Sequence, residues 1–193
     1  MATVRDRQLV ATALASGDSD LGGLAVAVAG GEVIGVSFGN RTAGAAAVAL
    51  NRRMSSYAEQ TTAAEDAEAG EDDMALADEV LERLQQFAAG ELVDLSKIPI
   101  SLSHLTPFQR QVVKACRAIK RGDSRSYGEV AAAAGSPGAA RAVGQVMRTN
   151  RMPLIVPCHR VVAAGGKLGG FSAPQGLAMK RRLLELESDR LFT

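Results

Sequence analysis

The chain has 193 residues, of which 47% are hydrophobic but only 4% aromatic, so small aliphatic side chains must build its core. It has no apolar run of about eighteen residues and no signal-peptide pattern, which argues against a membrane span and leads us to expect a cytoplasmic protein. Its two cysteines and two histidines lack the paired spacing of zinc sites and are too few for a disulfide framework.

The two halves of the chain differ in charge. Residues 1–100 hold 7 Lys or Arg against 16 Asp or Glu, a net charge of −9. Residues 101–193 hold 15 against 5, a net charge of +10. This division suggests that one domain binds a polyanion, although lysines and arginines also solubilise ordinary surface helices. We predict an N-terminal domain of residues 1–98 and a C-terminal domain of residues 103–193.

The N-terminal half is predicted to contain strands followed by helices. Residues 8–39 consist of β-prone runs, and the Gly30-Gly31 pair between two of them indicates a hairpin. An Ala-rich segment from Ala43 to about Arg53 fits a short helix. The acidic residues 58–73 fit a helix end, a loop or a mobile segment.

A second amphipathic helix and a connection to the basic half follow. Apolar residues recur at near-helical intervals from Met74 to Ala88, and Gly90 marks the end of this helix. Residues 92–102 are predicted to be extended. The sequence predicts the start of the next helix more clearly, because Thr106 and Gln109 form a capping box around a first-turn proline. We expect this helix to run through Ile119.

Two further helices with a glycine between them suggest a helix-turn-helix. Ser126 and Glu129 form a second capping box for a short helix through Ala134. The Ser136-Pro137 pair is predicted to cap a third helix that runs to about Thr149. Many helical proteins contain such a turn, but together with the charge of +10 it favours DNA binding.

The most specific chemical feature is Cys158, in the stretch LIVPCHRVV. A cysteine nucleophile reacts as the thiolate and needs a nearby base, for which His159 is the candidate. Adjacent side chains of an extended segment point to opposite sides, so a turn or a bridging water is required to connect them. The alternative is a buried structural cysteine beside a solvent-facing histidine. A Gly-rich segment and a final helix, from about Leu177 to Glu187, complete the chain.

The motifs SYGE, RAVG, VPCHRVV and LLELE follow one another over residues 105–187. Their order and spacing closely resemble the O6-alkylguanine-DNA alkyltransferases, also called methylated-DNA–protein-cysteine methyltransferases. The N-terminal half resembles this family loosely, through its hairpin and the LQQFAAGEL helix end. The resemblance implies an α+β fold: an N-terminal α/β domain with a small antiparallel sheet (ribonuclease H-like), then a helical winged helix-turn-helix domain.

The resemblance also implies an activity. The family reverses DNA damage directly, by one irreversible transfer of the alkyl group of O6-alkylguanine in duplex DNA to a cysteine after base flipping. In this sequence Cys158 would be the acceptor, His159 would remove its proton through a water, and Glu187 would orient His159. Asn150 would be the hinge between the helix-turn-helix and the cysteine segment. Tyr127 would press on the neighbouring phosphate and then donate to guanine.

The remaining implied residues contact the DNA or the flipped base. Arg141 would enter the duplex in place of the extruded guanine, and Ser172 would donate a hydrogen bond to O6. The implied DNA-binding residues are Tyr127, Ser136, Arg141, Arg148 and Arg151, and the implied pocket walls are Met147, Pro153, Val161 and Phe171. The expected partner is double-stranded DNA carrying O6-alkylguanine, and we expect a monomer with no metal, no cofactor and no membrane partner.

The sequence departs from the family pattern at three places. Arg151 follows the hinge asparagine, where family members commonly have proline. The first helix of the basic half has Val113 and Lys114 where family members often have an aromatic residue. This difference affects packing more than chemistry. The segment after Cys158 is about two residues longer than usual and contains Ala173-Pro174-Gln175, which bears on the position of Ser172 and on the alkyl groups accepted.

Three other functions compete with alkyl transfer. A non-catalytic lesion-binding protein of the alkyltransferase-like kind would lack the acceptor cysteine, whereas Cys158 is present. A Cys-His hydrolase would need a separate histidine, and His104 lies in no motif. A helix-turn-helix regulator would leave the PCHRV stretch unexplained.

Overall fold

The computed structural model describes residues 12–58 and 70–188, and only the backbone of residues 56–58. The start of the predicted first strand and most of the acidic segment of residues 58–73 lie outside the described residues. None of the described helices is long and apolar enough to cross a bilayer. Strands and helices are arranged as a small antiparallel sheet followed by a mainly helical C-terminal part, which confirms the predicted α+β class.

The sheet has three antiparallel strands in the order β1 (Ala13–Gly17), β2 (Gly23–Ala29) and β3 (Glu32–Asn40). The predicted hairpin turn is confirmed, because Gly30 and Gly31 adopt φ values of +60° and +75° between β2 and β3. Such left-handed conformations suit glycine. The buried carboxylate of Asp73 accepts hydrogen bonds from both turn amides, at 2.9 and 2.7 Å, and so fixes the turn against the second helix.

Helices cover both faces of the sheet, as the alternation of side chains along β2 requires. Helix α2 (Glu71–Ala88) packs its buried Val80, Leu84 and Phe87 in the cluster that holds Val26 and Val28 of β2. Helix α1 (Ala43–Ala58) packs over the small Ala25 and Ala27 on the other face. Both helices extend beyond the predicted bounds, α1 at its C-terminal end and α2 at its N-terminal end.

The connection between the halves packs against the sheet edge. Val33 of β3 donates to the carbonyl of Pro99 at 3.0 Å and accepts from the amide of Ser101 at 2.9 Å. Only this short part of residues 92–102 pairs like a strand. Buried residues of both halves belong to one continuous hydrophobic cluster. The division at residues 98–103 therefore stays a prediction.

The C-terminal part begins with α3 (Pro107–Arg117) and α4 (Tyr127–Ala133), and both predicted capping boxes are present. Helix α3 ends two residues before the predicted Ile119, whose amide instead closes a tighter turn on the Cys116 carbonyl. The predicted start of the third helix is wrong. Helix α5 (Ala140–Arg148) begins after a turn in which Gly138 adopts a φ of +90°, so Ser136 and Pro137 precede the helix rather than cap it.

The cysteine segment returns from α5 to the start of α4. Two short parallel strands, β4 (Arg125–Ser126) and β5 (Val161–Val162), join it to the residues that precede α4. The last helix, α6 (Gly176–Glu187), packs its buried Met179 and Leu183 in the main core. This arrangement brings the cysteine segment, the helix-turn-helix and the end of α6 together.

Candidate active site and nucleic-acid interface

Cys158 begins a single 3-10 turn, Cys158–Arg160, that follows Pro157. The turn that the adjacent Cys-His pair required is therefore present. Cys158 is 8% exposed and His159 is 1% exposed. Both reactive side chains are thus withdrawn from bulk solvent while remaining on one short segment.

Asn150 fixes the loop that leads to this turn. Its Nδ2 donates to the carbonyl of Val156 at 2.9 Å, and its Oδ1 accepts from the amide of Met152 at 3.0 Å. The loop between them contains Leu154, a buried non-glycine residue with a φ of +74°. This conformation costs about 1–2 kcal/mol and persists only where surrounding contacts enforce it. The side chain of Asn150 therefore joins the end of α5 to the loop before Cys158, and its role as a hinge stays a prediction.

Glu187 joins the histidine to an arginine. Nε2 of His159 lies 2.8 Å from Oε1 of Glu187, and Arg160 donates to both carboxylate oxygens, from Nε at 2.9 Å and from Nη2 at 2.8 Å. Arg160 also donates to the carbonyl of Ile119 at 2.6 Å. The other ring nitrogen, Nδ1 of His159, is buried and has no hydrogen-bond partner among the described residues.

Burial and hydrogen bonding set the protonation states of these groups. Burial raises the pKa of the Cys158 thiol, although a hydrogen bond from Asn150 and the charge of Lys180 oppose the rise. Burial lowers the pKa of His159, and its Glu187 partner only partly offsets this. Burial would raise the pKa of Glu187, but hydrogen bonds from His159 and Arg160 hold it at about 2.

At neutral pH the site therefore holds a thiol, a neutral imidazole and a carboxylate. Glu187 is an acceptor, so the neutral imidazole of His159 carries its proton on Nε2 and presents a lone pair at Nδ1. Nδ1, which has no hydrogen-bond partner among the described residues, therefore presents a lone pair that can accept a proton. The arrangement has the components of a cysteine nucleophile with an oriented general base.

Lys180 is a site residue that sequence reasoning missed. Its side chain is fully buried, and Nζ donates to the carbonyls of Val161, Leu168 and Gly170. Nζ also lies 5.9 Å from the ring centres of both Tyr127 and Phe171. A signal was available, because helical spacing places Lys180 three residues before buried Leu183 and seven before Glu187.

A pocket opens beside Cys158, with a void of about 410 Å³ that includes its mouth. The predicted residues Met147, Asn150, Pro153, Phe171 and Ser172 line it. Sequence reasoning missed the opposite wall, which comes from the N-terminal half and consists of Val36, Ser37, Phe38 and Arg53.

Two other predicted residues, Val161 and Tyr127, are not among the residues that line this pocket, whereas Ser172, which lines it, also contacts α5. Val161 is fully buried in β5 and is not among the residues that line this pocket, so its predicted role in the wall of the base pocket stays a prediction. Tyr127 is half-buried at the first position of α4, and burial raises its pKa. The hydroxyl of Ser172 donates to the carbonyl of Arg148 at 3.3 Å, which joins the pocket loop to α5.

The predicted DNA-contacting side chains lie on or near α5. Arg141 and Arg148 are exposed, while Val143, Val146 and Met147 bury the other face of the helix. Ser136 is half-buried in the turn before α5. Arg151 is half-buried beyond it, and its carbonyl accepts a hydrogen bond from the amide of Val36 at 2.8 Å. The described residues contain no group of three or more His, Cys, Asp or Glu that could hold a metal ion.

Fold and site together define a helix-turn-helix protein with a buried Cys–His–Glu arrangement. The family model for the DNA-binding domain of 6-O-methylguanine DNA methyltransferase matches residues 107–189. The chain is similar to the methylated-DNA–protein-cysteine methyltransferase of Mycobacterium tuberculosis, with 46% identity over 110 residues. That alignment covers 57% of this chain and 64% of the relative's length.

Solved structures extend the similarity to nearly the whole chain. The crystal structure of M. tuberculosis OGT in complex with DNA has a TM-score of 0.65 and 33% identity, and covers 92% of this chain and 93% of that one. The O6-methylguanine-DNA methyltransferase of Pyrococcus kodakaraensis has a TM-score of 0.65 and 25% identity, covering 90% and 98%. The chain therefore belongs to the methylated-DNA–protein-cysteine methyltransferase family.

Proposed function

We propose that this chain repairs O6-alkylguanine in double-stranded DNA by one irreversible transfer of the alkyl group to Cys158. The observation that carries the proposal is the position of Cys158 beside an open pocket, next to a neutral His159 that Glu187 orients. The basic helix-turn-helix beside this pocket supports a DNA substrate. The similarity to M. tuberculosis OGT, solved in complex with DNA, supports it independently.

The substrate atom must leave the base stack before it can reach Cys158. O6 of guanine lies inside the duplex, and flipping the nucleotide out costs a few kcal/mol. Arg141 is exposed at the start of α5 and would occupy the space that the guanine leaves. The flipped base would enter between Met147, Pro153 and the Ser172 loop.

The transfer is a displacement at the alkyl carbon. The thiol proton passes through a water to Nδ1 of His159, and the thiolate attacks the carbon bonded to O6. The carbon–O6 bond breaks with its electron pair staying on guanine, and Tyr127 donates a proton to the base. Solvent returns a proton to the Tyr127 phenolate while His159 releases the thiol proton to solvent, so the net transfer is one proton from the thiol to guanine. The raised pKa of Tyr127, which burial causes, keeps its phenol protonated until that step. The thioether that forms has no easy hydrolytic exit, so each molecule reacts once.

The test is intact mass after incubation with a duplex that contains O6-methylguanine, compared with the same duplex containing guanine. We expect the native chain to gain the mass of one methylene, located to Cys158 by peptide mapping. Cys158→Ala should gain none. Cys116→Ala is the matched control, because Cys116 is buried in α3 and does not line the pocket, and it should still react. Selective binding of the lesion without any mass gain would indicate damage recognition instead of repair.

A further inference from the structure

A second pocket lies next to the loop that leads to the nucleophile, with a void of about 1090 Å³ that includes its mouth. The loop contributes Leu154, Ile155 and Pro157 to its lining. The other walls come from the connection between the halves, residues 92–96, and from the end of α3 with the turn after it, residues 117–121. Among the described residues, none lines both this pocket and the one beside the nucleophile. The proposed alkyl transfer therefore leaves the second pocket without a use.

Apolar side chains form much of the lining of the second pocket. Ile119, Leu154 and Ile155 are buried and belong to the hydrophobic core. Leu92 also lines the pocket but is 85% exposed. An apolar group bound there would remove surface of Leu92 from water, which is favourable. The lining therefore suits a ligand with an apolar body.

Positive charge predominates among the charged side chains of this lining. Arg117, Lys120 and Arg121 form no ion pair with any described carboxylate. A fourth cation, Arg160, is already paired with a carboxylate. Among the described lining residues the single carboxylate is Asp94, which accepts two hydrogen bonds within its own turn. The second pocket therefore has an excess of positive charge that a bound anion would balance.

Both unpaired guanidiniums are held in place by backbone carbonyls. Arg117 donates through Nη2 to the carbonyls of Ser96 and Ile98, and Arg121 donates to the carbonyl of Glu91 at 2.8 Å. Nη1 of Arg117 donates to none of the described residues, and its buried Nε has no hydrogen-bond partner among them. Guanidinium donors match the oxygens of carboxylates and phosphates, and donors that are already fixed lose little conformational entropy on binding.

We propose that the second pocket binds a small organic anion. Its carboxylate or phosphate group would lie against Arg117, Lys120 and Arg121, and its apolar body against Ile119 and Leu154. A neutral ligand would leave the cations unbalanced, and a fully polar ion would leave the apolar lining uncovered. The inference does not depend on alkyl transfer, because the ligand would contact the loop before the nucleophile without entering the pocket beside it.

The experiment follows the backbone amide chemical shifts of the isotope-labelled native chain during titration with four probes. Phenylacetate and phenyl phosphate carry the two candidate anionic groups on the same apolar ring. Phenylacetamide is the neutral counterpart of phenylacetate, and inorganic phosphate lacks the ring. The measured quantities are the dissociation constant of each probe and the residues whose amide shifts change.

We expect either aromatic anion to shift the amides of residues 93–96, 119–121 and 154–155 in a saturable way, and the tighter of the two identifies the preferred anionic group. Phenylacetamide and inorganic phosphate each lack one interaction and should bind about fivefold or more weakly. Lys120→Gln should weaken binding of the anions about fivefold, as loss of one charge from a solvated site predicts. Lys114→Gln is the matched control, since Lys114 is exposed on α3 and does not line the pocket.

Equal affinities for phenylacetate and phenylacetamide, or native affinity in Lys120→Gln, would overturn the inference. Shifts confined to the exposed arginines of α5 would overturn it as well, because the anions would then occupy only the predicted DNA-binding face. The Lys120 side chain is exposed, so its substitution is compatible with folding. Each of these outcomes leaves alkyl transfer intact, which reaction of the same preparations with the O6-methylguanine duplex checks separately.

Discussion

Glu187 accepts a hydrogen bond from His159 at 2.8 Å although 28 positions separate the two residues in the chain. Both side chains are 1% exposed, and Arg160 binds the same carboxylate through two nitrogens. Because Glu187 holds the imidazole from the Nε2 side, the ring cannot turn that nitrogen toward Cys158. The carboxylate thereby determines both the tautomer and the orientation of the imidazole.

Replacing Glu187 with Gln should slow methyl transfer about 10²-fold, since a positioned general base contributes about that much or more. The amide oxygen of the new glutamine can still accept a hydrogen bond from His159, but its NH₂ group would face Arg160. The neutral side chain would also no longer stabilise a charged imidazole. Single-turnover rates on the O6-methylguanine duplex measure the effect. Glu185→Gln, an exposed change on the same helix, should react at the native rate. A native rate in folded Glu187→Gln would show that the carboxylate does not support the base.

Local features of the fold could be predicted from the sequence because their stabilising groups are neighbours in the chain. The capping boxes at Thr106 and Ser126 each depend on a residue three positions later, and both are present. The predicted start of α5 was wrong for a local reason as well. Gly138 adopts a left-handed conformation after Pro137, so the helix begins only at Ala140.

The reactive residues of the site could be predicted from motifs, whereas their surroundings could not. The position of Arg53 in the pocket wall depends on how α1 packs against β3 and on how β3 contacts Arg151, which no local pattern encodes. Lys180 lies in a run of basic residues that is typical of a solvated helix face, and this pattern outweighs the helical spacing that relates it to Leu183 and Glu187. The burial of Val161 likewise depends on tertiary structure, because pairing of β5 with β4 holds it in the core.

Lys180→Met should raise the thiol pKa of Cys158 further, since the lysine charge opposes the effect of burial. The pH dependence of iodoacetamide reaction at Cys158 measures this, and the profile should move to higher pH. The substitution also removes the hydrogen bonds that Nζ donates to three carbonyls, so the free energy of unfolding should fall by about 1–3 kcal/mol or more. Arg181→Met removes an exposed charge from the adjacent position and serves as control. Coincident pH profiles for Lys180→Met and native protein would exclude an electrostatic role.

Arg141→Ala should slow transfer from duplex DNA about tenfold, because the space left by the flipped guanine is no longer filled. The free base O6-benzylguanine needs no flipping, so its reaction should be affected much less. Arg148→Ala removes another exposed arginine of α5 and serves as the control. It should weaken DNA binding, but at saturating DNA it should not slow transfer from the duplex relative to transfer from the free base. Equal losses on duplex and free base in Arg141→Ala would instead indicate damage to the pocket itself.

His104 should make the fold sensitive to mild acid. Burial, with smaller effects from Arg151 and Arg110, lowers its pKa to about 4 from an ordinary value of 6.5. The unfolded chain therefore takes up a proton before the folded chain does, so stability is full above pH 6.5 and falls as the pH drops toward 4. Glu187 acts in a lower range, because its stabilising charge is lost only as the pH falls from about 4.5 to about 2.

Urea unfolding of native protein and His104→Asn at pH 7.5 and pH 5 separates these contributions. The native chain should lose more stability between the two pH values than the variant, by about 1 kcal/mol once solvent screening of this half-buried side chain is allowed for. His159, whose pKa burial also lowers, remains in both proteins and contributes equally to each. Parallel losses in native and variant protein would place the acid sensitivity at His159 rather than at His104, since Glu187 stays ionised at pH 5.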